Sequence, residues 1–232
     1  NFPLMSEMLR IGNEYVNNND VIMWTNGDII YNCSLIKTIL SFKNKYNKLE
    51  NFSLVGQRLD WENYESKLNN PEDINTINKL NTILNQTQMH VPCGIDYFIH
   101  SKTSIINKVD KRLSIPAIIA DQRILHACYK NVKTIDCTRT IIAIHQGIDK
   151  TNRDTDIFKK IKENNLNCTG GWLNITQCKE ESYLESKDYN FIINFKPRED
   201  INWYPQRLQP EFKKKIEKKY QNIKKNYLNL FL

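Results

Sequence analysis

The sequence lacks any apolar run as long as a bilayer-spanning helix, and its mean hydropathy is −0.58. It also lacks a recognisable secretory signal and internal repeats. These absences argue against a membrane-spanning chain and a repeat architecture, and they predict a soluble protein. A length of 232 residues with 40% hydrophobic composition suits one sizeable core, or one domain with a long extension.

Six cysteines are present, but none forms a CxxC pair or has the spacing of a metal knuckle. A structural zinc site is therefore not expected. Cys128 and Cys137 stand among apolar residues and are predicted to be buried thiols. Cys168 and Cys178 flank a Gly-Gly turn and would be bridged only in an oxidising compartment. The lack of obvious pairing favours the cytoplasm, while five Asn-X-Ser/Thr sequons keep the Golgi or secretory lumen as the alternative.

The net charge of +7 is concentrated near the C-terminus. Residues 211–227 contain seven lysines and two glutamates, so the rest of the chain is close to neutral. A basic helix with aromatic residues is able to contact a phosphate backbone, but such a run is more often a solvated helical face. Because acidic residues follow the predicted strands of the body, a nucleic-acid partner is not expected.

Residues 20–31 contain the pattern around which the rest of the chain is organised. Residues 21–24 are a short apolar run without alternation, which predicts a strand buried on both faces. Asn26, Gly27 and Asp28 follow its carboxyl end, where open α/β sheets bind their ligands. Asp28 is therefore a candidate metal ligand, and Gly27 would let a ligand approach the backbone. A simple turn between two apolar runs is the alternative interpretation.

Helices and strands alternate along the first part of the chain. Residues 3–16 and 34–46 carry apolar side chains at helical spacing, and residues 52–55 predict a second strand. This alternation is typical of an α/β fold. The positions expected to face the core are Leu4, Met8, Ile11 and Tyr15 in the first helix, and Leu35, Ile36, Ile39, Leu40 and Phe42 in the second.

The residues after the second predicted strand are polar. Arg58 is able to hold a phosphate or an acceptor hydroxyl, and a surface ion pair with Asp60 or Glu62 explains it equally well. Residues 61–88 are rich in Asn and carry isoleucine and leucine at helical spacing. They predict one helix or a lid-like insertion.

Three polar residues of the second half lie in or beside apolar segments. Asp96, in a strand predicted over residues 95–99, must be hydrogen-bonded or functional because an unpaired buried charge is costly. Asp121 is a helix N-cap in the simpler interpretation and a pocket carboxylate in the alternative. His145 ends a strand region predicted over residues 133–144, in the same position relative to its strand as the first candidate metal ligand.

Taken together, five segments resemble in order the nucleotide-diphospho-sugar transferases with the glycosyltransferase type A fold. A sixth, weaker segment surrounds Gly170 and Gly171. The resemblance implies a Rossmann-like α/β domain over residues 1–185, with a central mixed sheet covered by helices. Residues 186–232 fall outside it and are expected to be an extension broken by prolines and ending in a lysine-rich helix. The five segments are FPLMSEMLRIGNEYV, IMWTNGDIIY, FSLVGQRLDW, HVPCGIDYF with PAIIADQRIL, and TIDCTRTIIAIHQG.

The resemblance implies a metal site. The Asn-X-Asp sequence stands where such proteins have an Asp-X-Asp motif that binds the divalent metal of the nucleotide diphosphate. Asp28 is thereby implied as a ligand of Mn²⁺ or Mg²⁺, with Asn26 and Gly27 beside the donor and His145 completing the site. Asn26 departs from the Asp that is common at this position.

The resemblance also implies roles in sugar transfer. Asp96, with Gly94 just before it, is implied to face the donor sugar or the acceptor, and Arg58 to contact donor or acceptor. Asp121 matches the carboxylate that meets the acceptor hydroxyl, which is a base in inverting enzymes. The residues do not determine whether the transfer is inverting or retaining.

The implied activity is metal-dependent transfer of a sugar from a UDP- or GDP-sugar to a hydroxyl on a glycan or protein. One departure concerns the βα unit that binds the nucleotide base. In the family this unit precedes the segment resembling FPLM, so here it lies upstream or is missing. The alternative function is therefore a transferase-like domain without catalysis that serves in binding or assembly.

Overall fold

The structure is a computed structural model that describes residues 2–45, 51–61, 77–90, 94–102, 105–115, 119–138, 140–146, 155–170, 175 and 180–181. Within these residues the strands are β1 (Val21–Thr25), β2 (Ile29–Tyr31), β3 (Phe52–Gln57), β4 (Leu59–Trp61), β5 (Gln88–Met89), β6 (Ile95–Ser101), β7 (Lys133–Asp136), β8 (Ala143–Gln146) and β9 (Glu180–Glu181). The helices are α1 (Met5–Glu14), α2 (Ser34–Lys45), α3 (Ile77–Asn85), α4 (Ala120–Asn131) and α5 (Asp156–Leu166).

The strands form two mixed sheets. The larger sheet has the order β1-β6-β3-β7-β9, antiparallel from β1 to β3 and parallel from β3 to β9. The smaller sheet has the order β2-β8-β4-β5, antiparallel at both ends and parallel between β8 and β4. The predicted α/β class is confirmed. The larger sheet is mixed and covered by helices, as expected for a central mixed sheet, and the described residues form a second mixed sheet in addition, because three connections carry the chain from the larger sheet into the smaller one.

These three connections carry the chain directly between the sheets. β1 leads to β2 through residues 26–28, β3 leads to β4 through Arg58, and β7 leads to β8 through residues 137–142. The strand predicted over residues 133–144 is therefore two strands. They are separated by a turn in which Cys137 accepts hydrogen bonds from two later N–H groups. The crossings bring polar residues to the boundary between the sheets.

Among the described residues β1 is an end strand of the larger sheet, and all of its residues are half-buried. The prediction of a strand buried on both faces is therefore wrong. Both faces of β1 nevertheless make apolar contacts, which explains why residues 21–24 are apolar without alternating with polar residues. Trp24 packs on Phe98 at 5.4 Å between ring centroids, whereas Val21 and Met23 contact the core on the other face.

Helices cover both faces of the larger sheet. On one face α1 and α4 pack against β3 and β6, and on the other α2 packs against β3, β6 and β7. The smaller sheet is covered by α3. Each layer is built from fully buried aliphatic and aromatic side chains, which the hydrophobic effect stabilises. Representative buried residues are Met5, Leu9, Ile124 and Phe98 on the first face, Phe42, Leu54 and Ile135 on the second, and Leu80, Met89 and Ile144 in the smaller sheet.

The predicted apolar face of α1 is wrong, because three of its four residues are exposed, and the predicted face of α2 is partly correct. In α1, Met5 and Leu9 are buried, whereas Met8, Ile11 and Tyr15 are exposed. In α2, Phe42 is buried and Leu35 and Ile39 pack against the core, but Ile36 and Leu40 are exposed. Each helix has apolar residues on two sides, and the sheet contacts only one of them.

Arg123 of α4 fixes the carboxyl end of α5. Its guanidinium donates to the carbonyl oxygens of Asn165, Leu166 and Gly170. The last carbonyls of a helix have no partner within the helix, so a buried arginine satisfies them and also suits the negative end of the helix dipole. Gly170 has φ of +135°, a conformation that favours glycine.

Cys128 and Cys137 are buried thiols, as predicted, and Cys168 is a free, buried thiol whose Sγ lies 3.4 Å from the carbonyl oxygen of Asn164. Cys178, Gly171, much of the region 61–88 and the extension over residues 186–232 lie outside the described residues. In the described part of the chain, no helix is long and apolar enough to cross a membrane.

Candidate functional site

Asp28 and His145 lie side by side in the smaller sheet. β2 and β8 pair with Ile29 opposite His145, so the residue before β2 reaches the imidazole. His145 Nε2 lies 3.0 Å from Asp28 Oδ2. The His145 side chain is 5% exposed and that of Asp28 is 55% exposed. The two candidate metal ligands are therefore brought together, one held in the interior and one open to solvent.

Asp60 and His90 extend this line of polar side chains. Asp60 stands opposite His145 in the β4–β8 ladder, and its Oδ1 lies 3.8 Å from His145 Nδ1. On its other side, Asp60 Oδ2 lies 2.7 Å from His90 Nδ1, just beyond the end of β5. The line that runs from Asp28 through His145 and Asp60 to His90 follows the strand order of the smaller sheet.

Arg58 joins this line to Asp96. Its Nε donates to Asp60 Oδ1 at 2.8 Å, and its Nη1 donates to Asp96 Oδ1 at 3.0 Å. All three side chains are at most 10% exposed, so the interpretation of Arg58 as a surface ion-pairing residue is wrong, although Asp60 is its partner. Burial would lower the pKa of Arg58, but the charges of Asp96 and Asp60 outweigh it and raise that pKa.

The same contacts fix the charge of Asp60. Burial alone would raise the pKa of this carboxyl. The hydrogen bond and charge of His90, together with those of Arg58, outweigh burial and lower the pKa of Asp60 to about 2. Asp60 is therefore a carboxylate at neutral pH, held between partners on two sides.

Asn26 completes the network at the end of β1. Its Nδ2 donates to Asp96 Oδ1 at 2.5 Å, and its backbone N–H donates to the Asp96 carbonyl oxygen. Asp96 Oδ1 thus has two donors, whereas Asp96 Oδ2 is buried and has no hydrogen-bond partner among the described residues. Buried polar atoms are nearly always paired, so this oxygen is suited to accept a hydrogen bond from a ligand.

Asp121 lies in the first turn of α4, and the N-cap of that helix is Ile119 rather than Asp121. Asp121 accepts hydrogen bonds from the backbone N–H of Gln122 at 2.9 Å and of Ile95 at 3.3 Å. Burial raises the pKa of Asp121 to about 7, and the negative charge of Asp96 adds to the rise. A carboxyl with this pKa takes up and releases a proton near neutral pH, which suits a general base.

Ile119 holds the start of α4 in an unusual conformation. Its φ is 83° and its ψ is −14°, in the left-handed region that is costly for a β-branched residue. Such outliers persist where the surrounding structure enforces them, and they cluster at functional sites. Here the outlier lies two residues before Asp121 and sets the direction in which α4 leaves the site.

The glycines near the site differ in what they accommodate. A Cβ at Gly94 would overlap the ring of His90, so Gly94 makes room for the imidazole. A Cβ at Gly27 would meet no atom of the described residues within 4 Å. The protein itself therefore does not require glycine at position 27, and the approach of a ligand there stays a prediction.

Sequence reasoning missed the importance of Asp60 and His90. The second strand is predicted to end at residue 55, so the sequence singles out Asp60 only as one of two possible partners of Arg58 in a surface ion pair. β3 instead extends to Gln57 and β4 begins at Leu59, so Asp60 is interior. His90 carried no signal beyond its place in a segment of the resemblance, since its role depends on pairing with a strand 30 residues earlier.

Asp28 and His145 are the two candidate protein ligands for a divalent metal ion. In the described part of the chain, no three His, Cys, Asp or Glu side chains come together as a metal-binding group. Mg²⁺ is commonly held by one or two carboxylates together with substrate phosphates and water, and here Asp28 would supply one carboxylate, whereas the imidazole of His145 suits a softer divalent ion better. In the described part of the chain His145 Nδ1 is buried without a hydrogen-bond partner, and Nε2 lies 3.0 Å from Asp28 Oδ2, so an ion bound between these two atoms would have one imidazole and one carboxylate ligand.

Comparison of the chain with protein-family models, curated proteins and solved structures returns no match. The case for a function therefore lies in the residues of the site and in the ordered sequence segments.

Proposed function

We propose that the chain is a metal-dependent glycosyltransferase domain of the type A fold. It moves a sugar from a nucleotide-diphosphate sugar, such as a UDP- or GDP-sugar, to a hydroxyl on a glycan or protein. The observation that carries the proposal is one polar network that includes residues from four of the five main segments of the resemblance, namely those that follow the first helix. Its members are Asn26, Asp28, Arg58, Asp60, His90, Asp96 and His145, with Asp121 beside it.

The charge of the site favours a cation. Four carboxylates and the guanidinium of Arg58 lie in or beside the network. The carboxylates belong to Asp28, Asp60, Asp96 and Asp121. Arg58 is already occupied by two of these carboxylates. A nucleotide diphosphate would be repelled by this excess negative charge unless a divalent cation accompanied it. This is the reason to expect Mn²⁺ or Mg²⁺ as the cofactor.

Asp28 and His145 would hold that ion, because they are the pair whose ligand atoms already face each other. When bound, the ion stabilises the negative charge that develops on the leaving diphosphate. Because Asp28 is exposed, a diphosphate would have room beside it. Because His145 is buried, the surrounding residues would hold its imidazole in place.

Asp96 and Asp121 would act on the sugar and the acceptor. Asp96 is held by Asn26 and Arg58, so its unpartnered Oδ2 is positioned to accept a hydrogen bond from a sugar hydroxyl. In an inverting transfer, Asp121 takes the proton of the acceptor hydroxyl while the acceptor oxygen bonds to the anomeric carbon and the nucleoside diphosphate leaves. Such general-base assistance contributes about 10²–10⁴ in rate.

A thermal-shift experiment tests the proposal. UDP or GDP at about 100 times its Kd, together with Mn²⁺, should raise the Tm of the wild-type chain by roughly 5–10 °C, and neither alone should do so. Asp28→Ala should lose the shift. Asp156→Asn, which changes an exposed carboxylate at the start of α5, should keep it. The same Tm with and without nucleotide and metal would contradict the proposal.

The alternative is a transferase-shaped domain that binds or assembles without catalysis. The observation in its favour is that Arg58 is fully engaged by Asp60 and Asp96, as expected of a network that only stabilises the fold. This alternative predicts that no nucleotide shifts the Tm and that Asp28→Ala changes neither binding nor stability.

A further inference from the structure

We infer that the outer side of α1 is a docking surface for residues 211–227, the lysine-rich segment of the same chain. This segment lies outside the described residues, and the docking surface is defined by the exposed side chains of Met8, Ile11 and Tyr15. The inference does not depend on the proposed function, because none of the residues of the candidate site belongs to α1.

The three side chains form one apolar stripe along α1. Their spacing of three and four positions places them on the same side of the helix. They are 43%, 45% and 84% exposed, whereas Met5 and Leu9 on another side of α1 are buried in the core. In the part of the chain that the structure describes, nothing covers this stripe. Neighbouring exposed apolar side chains of this kind mark an interaction surface.

The sequence of residues 211–227 has a matching pattern. Its apolar residues recur every three or four positions, so in a helix all of them fall on one side, and lysines border that side. Such a helix leaves its own apolar stripe exposed unless a second apolar surface covers it. The apolar residues are Phe212, Ile216, Tyr220, Ile223 and Tyr227.

Charge favours α1 over α2 as the partner of this segment. α2 also exposes an apolar pair, Ile36 and Leu40, but it has three lysines and no acidic residue. α1 has the glutamates Glu7 and Glu14 and the single arginine Arg10, and both glutamate side chains are more than half exposed. Residues 211–227 contain seven lysines and two glutamates, so α1 attracts the segment and α2 repels it.

The length of the chain allows this contact within one molecule. β9 ends at Glu181, so the residues between β9 and the segment could span up to about 95 Å when extended. The larger sheet has five strands, and its width is only about 20 Å. A tether of this kind also keeps the segment at a high effective concentration, on the order of millimolar, which favours the same chain over a second copy.

The first test uses the wild-type chain and a zero-length carbodiimide cross-linker, which joins a carboxylate to an amine in contact with it. An equal mixture of ¹⁴N- and ¹⁵N-labelled chains distinguishes links within one chain from links between two. We expect links from Glu7 or Glu14 to lysines of residues 211–227, formed within one chain. Links formed only between chains would assign the surface to a second copy, and the absence of any link to these glutamates would place the segment elsewhere. Either result overturns the inference.

The second test measures trypsin cleavage within residues 211–227 under native conditions, because cleavage follows the population of the undocked segment. Met8→Gln/Ile11→Gln removes apolar contacts without changing the charge, and it should raise the cleavage rate at least about tenfold. Ile36→Gln/Leu40→Gln is the matched control on α2 and should change the rate less than about twofold. All four side chains are exposed, so both variants keep the core intact. Equal cleavage rates in the wild-type chain and Met8→Gln/Ile11→Gln would overturn the inference.

Discussion

His145 Nε2 lies 3.0 Å from Asp28 Oδ2, although 117 residues separate the two along the chain. The antiparallel pairing of β2 with β8 brings them together, and both strands are entered from the larger sheet. The contact thus depends on two separate crossings between the sheets. A chain that folds with these crossings intact has the site assembled before any ligand arrives, which lowers the ordering cost of binding.

Asp121 should make the stability of the chain depend on pH. Its pKa is raised from 3.8 to about 7, so the folded state binds the proton more tightly than the unfolded state between these values. The stabilisation is therefore fully present below pH 3.8 and is lost as the pH rises through 7. Between pH 5 and pH 8 we expect the wild-type chain to lose roughly 1–3 kcal/mol relative to Asp121→Asn in urea unfolding.

Asp156→Asn is the control for this experiment, because Asp156 is exposed and its loss should leave the wild-type pH dependence intact. In activity assays, Asp121→Asn should lose about 10²–10⁴ in rate while remaining folded. An Asp121→Asn variant with the same pH dependence of stability as the wild-type chain would contradict the raised pKa.

Gly94→Ala should disturb the site through His90. The added Cβ would overlap the imidazole ring and force it away from Asp60. Overpacking of this kind costs roughly 1–3 kcal/mol. Gly27→Ala is the matched control, since its Cβ would meet no atom of the part of the chain that the structure describes within 4 Å and should cost little stability. Urea unfolding of the two variants measures the difference, and equal stability would show that the His90 ring is free to move aside.

Arg123→Ala should destabilise α5 far more than Arg112→Ala. Arg123 is buried and donates to the carbonyl oxygens of Asn165, Leu166 and Gly170. Its loss removes this donor from all three, although Asn165 keeps the backbone N–H of Cys168, so we expect a cost of roughly 1–3 kcal/mol. Arg112 contacts the same segment at Asn167, but its side chain is 60% exposed, and its loss should cost less than about 1 kcal/mol. Amide hydrogen exchange across α5 reports the difference directly. Equal protection in both variants would mean that Arg123 is not the anchor.

Arg58→Lys should fail to replace arginine. The guanidinium reaches Asp60 with Nε and Asp96 with Nη1 at the same time, a fork that the single ammonium group of lysine does not reproduce. We expect a loss of roughly 2–4 kcal/mol in the free energy of unfolding, because one buried carboxylate loses its charged arginine partner and keeps only its contact with His90 or Asn26. Calorimetry of the variant at neutral pH checks this, and a Tm within 2 °C of wild type would argue that the network tolerates a point charge.

The candidate site was predictable from the sequence where polar residues directly follow apolar strands. Asn26 and Asp28 follow β1, and His145 lies near the end of β8, so a local pattern was enough to single them out. Asp96 was recognisable as a carboxylate among apolar neighbours. The proposed roles of these residues stay predictions, but their proximity follows from the strand pairing.

Other features depend on tertiary pairing that no local pattern encodes. Whether the chain passes directly from β3 into β4 depends on the strands that pair with β4, namely β5 and β8. This pairing places Asp60 in the interior. Likewise α1 has apolar residues on two sides, and only the position of the sheet determines that Leu9 is buried and Met8 exposed. A pattern of apolar residues gives the spacing of a helix face but not the side on which the core lies.

The most direct test of the account is isothermal titration of UDP and GDP into the chain, with and without Mn²⁺. The account predicts that at least one nucleotide binds only when Mn²⁺ is present, and that Asp28→Ala and His145→Gln abolish this binding while Asp156→Asn preserves it. Failure of both nucleotides to bind in the presence of Mn²⁺ would contradict the transferase function.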